Sequence, residues 1–343
     1  MYSIVGFDIG TTEVKCTLYL VNGLKYFWRI ATPKVDINIT DSEEITFSPI
    51  AILKIVRQLL KKIRFDFPRE HILVSIASQA PSLCYWNDEG NAIGVSYLSY
   101  YGDPKMNSKQ DRQCKMFKRI QYANRLFLQH GIGKISGITG YIVYQLTEQL
   151  TLDSVTAWEM GIEDLTDVRI MQEAITPHQF PKIVAPVEKY TIKNEVLEKG
   201  VIIAGTTDSA LLPISIVPEF ADYYIYLGTW GSLLKSQIVE YKDYYKCFHK
   251  GNLHSWIISL PNFIQEVDND SLFLDDMFKQ IANEVEANSR IAVCGGLVYK
   301  KKDNINELID HYLPTQKVTL AIDDNSMVGA CRLGSIAIKE KHD

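Results

Sequence analysis

An apolar strand running into a turn of glycine and threonine occurs twice in this chain, at Asp8-Ile9-Gly10-Thr11-Thr12 and at Leu227-Gly228-Thr229-Trp230-Gly231. Glycine lets the backbone turn tightly and approach an anion. Successive N–H groups and two hydroxyls can then grip phosphate oxygens, as anion nests do. Asp8, at the strand end with Lys15 close behind, is suited to hold Mg²⁺ or its waters, because hard cations prefer carboxylate oxygen. The plain alternatives are an ordinary hairpin with a glycine turn in the first case and a tight turn in the second.

The text around these turns predicts an α/β chain. Residues 3–7 and 14–21 read as strands, and Asn22-Gly23 between 14–21 and 24–31 signals a type I′ hairpin, whose central residues both need positive φ. Ser48-Pro49 offers an N-cap and an N1 proline. Ile52, Leu53, Ile55, Val56, Leu59, Leu60 and Ile63 follow at helical spacing. A buried strand is expected at 72–77 and helices through most of 111–150, ended by Pro177, Pro181 and Pro186. At Val201 the texture changes to strand 201–204, helix 209–217 and strand 223–227. Helix 272–287, strand 290–294 and a last helix from 327 complete the chain. A length of 343 residues suits two domains, and the change of texture puts their boundary at 198/199.

Two further segments carry chemistry. Asp208, in Gly205-Thr206-Thr207-Asp208-Ser209, is the one formal charge between Val201 and Val217. It is either a helix N-cap or a general base, and the roles are compatible, because a helix N-terminus at an active site also faces phosphate. In Cys294-Gly295-Gly296 the paired glycines either let a flat group such as a nucleobase lie against the backbone or start a helix. Two tempting patterns fail. The glycines of 131–137 have neither Rossmann nor Walker A spacing, and His249 with His254 reads as surface rather than metal site.

Charge and composition exclude other classes. Lys plus Arg is 36 and Asp plus Glu 41, for a net charge of -5, with no long basic cluster. A nucleic-acid backbone binder or polybasic membrane adaptor needs concentrated positive charge. The N-terminus meets an acid at Asp8 with no basic stretch before it, and the apolar window 201–217 is interrupted by Asp208 and too short for a span. The expectation is a cytoplasmic protein. The six cysteines are scattered without a CxxC pair, so buried free thiols are expected.

These segments, in this order, resemble the FGGY family of sugar and polyol kinases, which has the two-domain actin/hsp70/hexokinase-like (ribonuclease H-like) fold with ATP in the interdomain cleft. Asp8 to Thr12 with Lys15 is similar to its first phosphate motif. Leu146-Thr147, Asp153 and Ala157 keep the spacing of its LTG…D…A segment, with Glu148 in place of glycine. Gly205-Thr206-Thr207-Asp208 is similar to its Gly-x-x-Asp, Leu227 to Gly231 to its second phosphate motif, and Gly295-Gly296 to its adenosine motif, with Leu297 in place of a third glycine. Gly329-Ala330 resembles its closing signature. In the acceptor region Gln79 matches, Pro81 stands in place of histidine, and Tyr101-Gly102-Asp103-Pro104-Lys105 takes the part of Trp-x-Asp-x-Arg.

The resemblance implies transfer of the ATP γ-phosphoryl group to a hydroxyl of a small sugar or polyol. Asp208 is then the base and Asp8 the Mg²⁺ residue. Gly10, Thr11, Thr12, Lys15, Gly228, Thr229, Gly295 and Gly296 face ATP, and Gln79, Tyr101 and Asp103 face the acceptor. It implies an N-terminal domain over 1–198 and a shortened C-terminal one over 199–343, no nucleic-acid or membrane partner, and leaves a homodimer open. The competing expectation is a nucleotide-binding regulator of the same fold that has lost its acceptor pocket; an ATP-dependent partner-binding protein of the hsp70 type does not require the Asp208 segment.

Overall fold

The computed structural model describes residues 2–10, 13–32, 46–79, 82–92, 96–97, 109–130, 133–175, 180–193, 195–197, 200–215, 221–227, 230–235, 252–257, 270–321 and 325–339. The chain forms two compact units, Met1–Asp208 with Ala330–Asp343, and Ser209–Gly329.

The first unit opens with β1 (Ser3–Ile9), β2 (Glu13–Tyr19) and β3 (Lys25–Ala31), an antiparallel meander. Its β2–β3 connection departs from the type I′ expectation. Only Gly23 has a positive φ, +86°. Gly23 N–H donates to Leu20 O at 2.9 Å and Leu20 N–H to Leu24 O at 2.9 Å, while Asn22 Oδ1 accepts from Leu24 N–H. This is a three-residue loop in which an ordinary turn is followed by a left-handed glycine bulge. The asparagine serves through its side chain rather than through a left-handed backbone.

After β4 (Thr46–Phe47) comes α1 (Pro49–Asp66). Ser48 Oγ accepts from Ala51 N–H, Pro49 sits at the start, and all seven apolar residues expected on one face are buried. Then follow β5 (Ile72–Ser78), β6 (Cys84–Asn87), β7 (Ser96–Tyr97), α2 (Lys109–His130), β8 (Gly133–Ser136), α3 (Ile138–Thr147), β9 (Thr151–Asp153), α4 (Ser154–Glu159), α5 (Leu165–Ile175), β10 (Lys182–Val184), β11 (Lys189–Thr191), β12 (Val201–Ile203) and β13 (Thr206–Thr207). The main sheet runs β11-β12-β5-β1-β2-β3, and β13 also pairs with β5. β1 and β5 are parallel neighbours buried along their whole length, as strands covered on both faces must be. β3, at the edge, is largely exposed.

The division of the chain differs from 198/199. β12 pairs in parallel with β5, Val201 opposite Leu73 and Ile202 opposite Val74, so the text after Val201 completes the first sheet instead of opening the second. The last helix, Asn325–Lys339, gives its residues from Ala330 onward back to the first unit. There a Cβ on Gly334 would lie 2.9 Å from methyl groups of both Ile4 and Leu73, so a larger residue would require those side chains to shift where the helix approaches β1 and β5.

The second unit begins with a 3₁₀ turn, Ser209–Leu211, followed by α6 (Leu212–Ser215), both within the span expected to be helical; residues 216 and 217 of that span lie outside the described residues. Its sheet contains β14 (Tyr223–Leu227), β15 (Trp230–Lys235), β16 (Asn252–Ile257), β17 (Arg290–Cys294) and β18 (Lys317–Leu320), in the order β16-β15-β14-β17-β18. β14, β15 and β16 are an antiparallel meander, and β14, β17 and β18 are parallel. The first sheet repeats this topology with β3-β2-β1-β5-β12. A helix links meander to parallel strand each time: α1 in one unit, Asp270–Glu284 in the other. The weak echo of two Gly-Thr turns in the sequence is thus a duplicated fold. In the second unit Leu274, Met277, Phe278 and Ile281 of that helix pack in one core with Tyr223, Ile225, Leu227, Ile291 and Val293. Among the described cysteines, Cys16, Cys84, Cys294 and Cys331 are buried and unbridged as expected. Cys114, on α2, is exposed.

Candidate active site

Parallel strands deliver their C-terminal ends to one edge, where open α/β sheets bind ligands. The first sheet brings three expected residues there. Asp8 on β1 lies opposite Ala77 on β5, which lies opposite Thr206 on β13. One row further on, Ile9, Ser78 and Thr207 are aligned. Gln79 N–H donates to Ile9 O at 3.2 Å and Asp208 N–H to Ser78 O at 2.8 Å. Asp8 and Asp208 therefore flank β5 on either side, two strand spacings (about 10 Å) apart across the sheet, with Asp208 two residues further along it.

Asp8 is 5% exposed. Lys15, its cross-strand partner on β2, places Nζ 3.3 Å from Asp8 Oδ2, so the hairpin itself pairs the acid with its neighbouring cation. Gly10 turns the chain by donating its N–H to Glu13 O at 3.0 Å and accepting from Thr32 Oγ1 at 3.0 Å. Thr11 and Thr12 lie outside the described residues. No cluster of three or more His, Cys, Asp or Glu among the described residues could cage a metal ion. A lone carboxylate fits Mg²⁺ nonetheless, since that ion keeps waters and takes phosphate oxygens with one or two carboxylates.

The Asp208 segment is held from below. Gly205 has φ +75°, and a Cβ there would sit 2.5 Å from Ile76 O; its N–H donates to Pro186 O. Thr206 and Thr207 are completely buried, while Asp208 itself is half-buried. Thr206 Oγ1 donates to Asp153 Oδ1 at 3.0 Å, and Thr207 Oγ1 to Glu159 Oε1 at 3.4 Å. Asp153 is the N-cap of α4: Oδ1 accepts from Val155 N–H at 3.1 Å and Thr156 N–H at 3.0 Å, and Oδ2 from Thr156 Oγ1 at 2.6 Å. The sequence marked Asp153 only by its spacing. An Asp immediately before a short helix is a capping signal, but nothing local announces that Thr206 reaches the same carboxylate.

Burial pushes the Asp153 carboxyl up from 3.8 to about 6, against the hydrogen bonds from Thr156, Thr206 and Val155 that pull it down. In the window between those values the folded chain holds a proton that the unfolded chain has released. Stability therefore falls as pH rises through it, by on the order of 3 kcal/mol in all. Asp153→Asn keeps an acceptor at Oδ1 and removes the titration. Urea unfolding at about pH 4, 5, 6 and 7 is expected to show that the stability of the wild type relative to the variant falls as pH rises. Parallel slopes for the two chains would refute this account.

In the second unit the two glycines of Cys294-Gly295-Gly296 separate in role. Gly295 has φ +110° and ψ 166°, and a Cβ there would meet Leu227 O at 2.3 Å, Leu227 C at 2.7 Å and Leu227 N at 2.9 Å. Its glycine is demanded by the close approach of the end of β14. Gly296, the first residue of the helix Gly296–Lys300, has nothing among the described residues within 4 Å of a Cβ and so faces open space there. Gly228 and Thr229 fall in the connection of β14 to β15, the counterpart of the β1–β2 turn, and lie outside the described residues. So do Tyr101 and Asp103. Gln79 is half-buried at the sheet edge.

No protein-family model matches the chain, and no curated protein matches it in sequence. Solved structures do match. A ligand-bound xylulose kinase from Lactobacillus acidophilus superposes with a TM-score of 0.67 at 17% identity, covering 100% of this chain and 91% of that one. A gluconate kinase from Lactobacillus acidophilus gives 0.66 at 17%, covering 100% and 90%. A Plasmodium falciparum glycerol kinase with ADP gives 0.66 at 13%, covering 100% and 91%. The chain has the two-domain actin/hexokinase-like fold of these carbohydrate kinases. Among the described residues no helix is long and apolar enough to cross a membrane.

Proposed function

From the fold shared with carbohydrate kinases, we propose that this protein is an ATP-dependent carbohydrate kinase with Asp208 as its general base. The observation that carries the reading is the placement of Asp8 and Asp208 on either side of β5 at the C-terminal edge of the first sheet. A phosphoryl donor and its cation need one acid, and an acceptor hydroxyl needs another. Strands that end side by side supply both. ATP would supply the phosphoryl group, and a bound Mg²⁺ would neutralise its negative charge.

The residues of the chain do the rest. Asp8 would hold the Mg²⁺, and Lys15 beside it would counter phosphate charge. The N–H groups and hydroxyls of Gly10, Thr11 and Thr12, and of Gly228 and Thr229, grip phosphate oxygens, and Gly296 leaves room for the base beside Gly295. Gln79, with Tyr101 and Asp103, orients the acceptor. The acceptor oxygen bonds to the γ-phosphorus as the bond to the bridging oxygen of ADP breaks, and the hydroxyl proton passes to Asp208. A loose transition state asks mainly for this kind of positioning. ATP as donor puts the reaction in the cytoplasm.

The test is ADP release by the purified chain with Mg²⁺ and ATP, across a panel of ketoses, polyols and sugar acids. At least one acceptor is expected to raise release well above the rate without acceptor. ATP binding with no stimulation by any acceptor would sink the kinase reading and leave a nucleotide-binding regulator.

A further inference from the structure

We propose that Asp153 is a positioning residue for Asp208, acting through Thr206; the proposal rests on the reading of Asp208 as the base. Asp208 follows a strand of only two residues, Thr206–Thr207, whose pairing with β5 ends at the hydrogen bond from Asp208 N–H to Ser78 O. So short a strand fixes its own end weakly, and Gly205 before it carries the most permissive backbone of any residue. Besides the backbone bond from Gly205 N–H to Pro186 O, side-chain ties to α4 and its cap stiffen the segment: a long one from Thr207 to Glu159 and a shorter one from Thr206 to Asp153. Asp153 Oδ1 takes the Thr206 hydroxyl at 3.0 Å and, on the same oxygen, the N–H groups of Val155 and Thr156. One wholly buried carboxylate thus joins the first turn of α4 to the segment that presents Asp208. Capping alone does not require this. A serine or asparagine caps a helix as well without a buried charge, and the bond to Thr206, 53 residues away in sequence, adds nothing to the helix.

The test removes that bond and leaves the cap. Thr206→Val preserves shape, and Asp153 keeps its three bonds within α4; Thr206→Ser retains the hydroxyl. Two readouts are taken on the full chain: deuterium uptake by the amides of residues 205–208, and acceptor-dependent turnover with the KM for ATP. For Thr206→Val, uptake in 205–208 is expected to quicken by about 10-fold, the loss of one net hydrogen bond, with β1 and β5 unchanged. The turnover number should fall by about 10-fold while the KM for ATP holds, and Thr206→Ser should restore both. Unchanged uptake in Thr206→Val overturns the tie, whatever happens to turnover. Faster uptake with unchanged turnover overturns the positioning role. A wild-type chain that phosphorylates no acceptor overturns the reading of the function instead, and the exchange rates alone then decide whether the tie exists.

Discussion

Asp208→Asn is expected to lower acceptor-dependent turnover by a factor on the order of 10²–10⁴ while leaving ATP affinity within about twofold. The range is what a positioned general base contributes. The substitution is nearly isosteric, and Asp208 is anchored by its backbone N–H to Ser78 O, a bond that asparagine keeps. Its side chain is not part of the buried core, so the fold has little reason to suffer. The loss should fall on the turnover number, because asparagine cannot accept the acceptor's proton but changes nothing on β1 and β2, where Asp8 and Lys15 stand. Steady-state kinetics with the best acceptor, alongside equilibrium titration with ATP, separates the two. Turnover close to wild type would remove Asp208 as the base; an equal loss of ATP affinity would make it a nucleotide residue instead.

The second large effect concerns stability. Gly295→Ala should lower the unfolding temperature by roughly 10 °C, and Gly296→Ala should lower it hardly at all. At φ +110° and ψ 166° Gly295 occupies backbone space that is essentially reserved for glycine. Its Cβ would also overlap the backbone of Leu227, which cannot swing aside as a side chain can. Relief requires β14 and β17 to part at their ends, at a cost of about 3 kcal/mol or more. Gly296 has open space at the same point and stands at the start of a helix, where alanine is a better residue. If a nucleobase lies against Gly296, the methyl group should weaken ATP binding by about 10-fold with the fold intact. Calorimetry and ATP titration of both variants give the answer. Equal stability of the two would refute the close-approach account, and unchanged ATP binding in Gly296→Ala would move the base elsewhere.

Several features are legible in the sequence because their causes are local. Helix α1 follows from Ser48, Pro49 and apolar residues three and four apart, all within one element, and every residue expected inside is inside. The β2–β3 hairpin is legible as a hairpin but not as to its turn. Asn-Gly suits more than one loop, and the choice depends on how Leu20 and Leu24 close it. The domain boundary is misplaced for a related reason. A run such as Val201 to Ile203 reports that a strand is buried, but burial has no direction. It carries no sign of whether the neighbour is Leu73 and Val74, far earlier in the chain, or a strand still to come.

The site divides in the same way. By itself the sequence determined the chemical inventory: two Gly-Thr turns, an acid at the end of β1, an isolated acid at 208 and a glycine pair at 295. Residue type and adjacent spacing are enough for that, since turn formation and phosphate contact are properties of a few consecutive residues. Only the tertiary structure decided that Asp8 and Asp208 end on either side of one strand, that Gly295 serves Leu227 while Gly296 faces open space, and that Asp153 holds Thr206. Each of these is a contact between segments tens of residues or more apart. Strand pairing and core packing are what bring such segments together, and no local pattern records the partner.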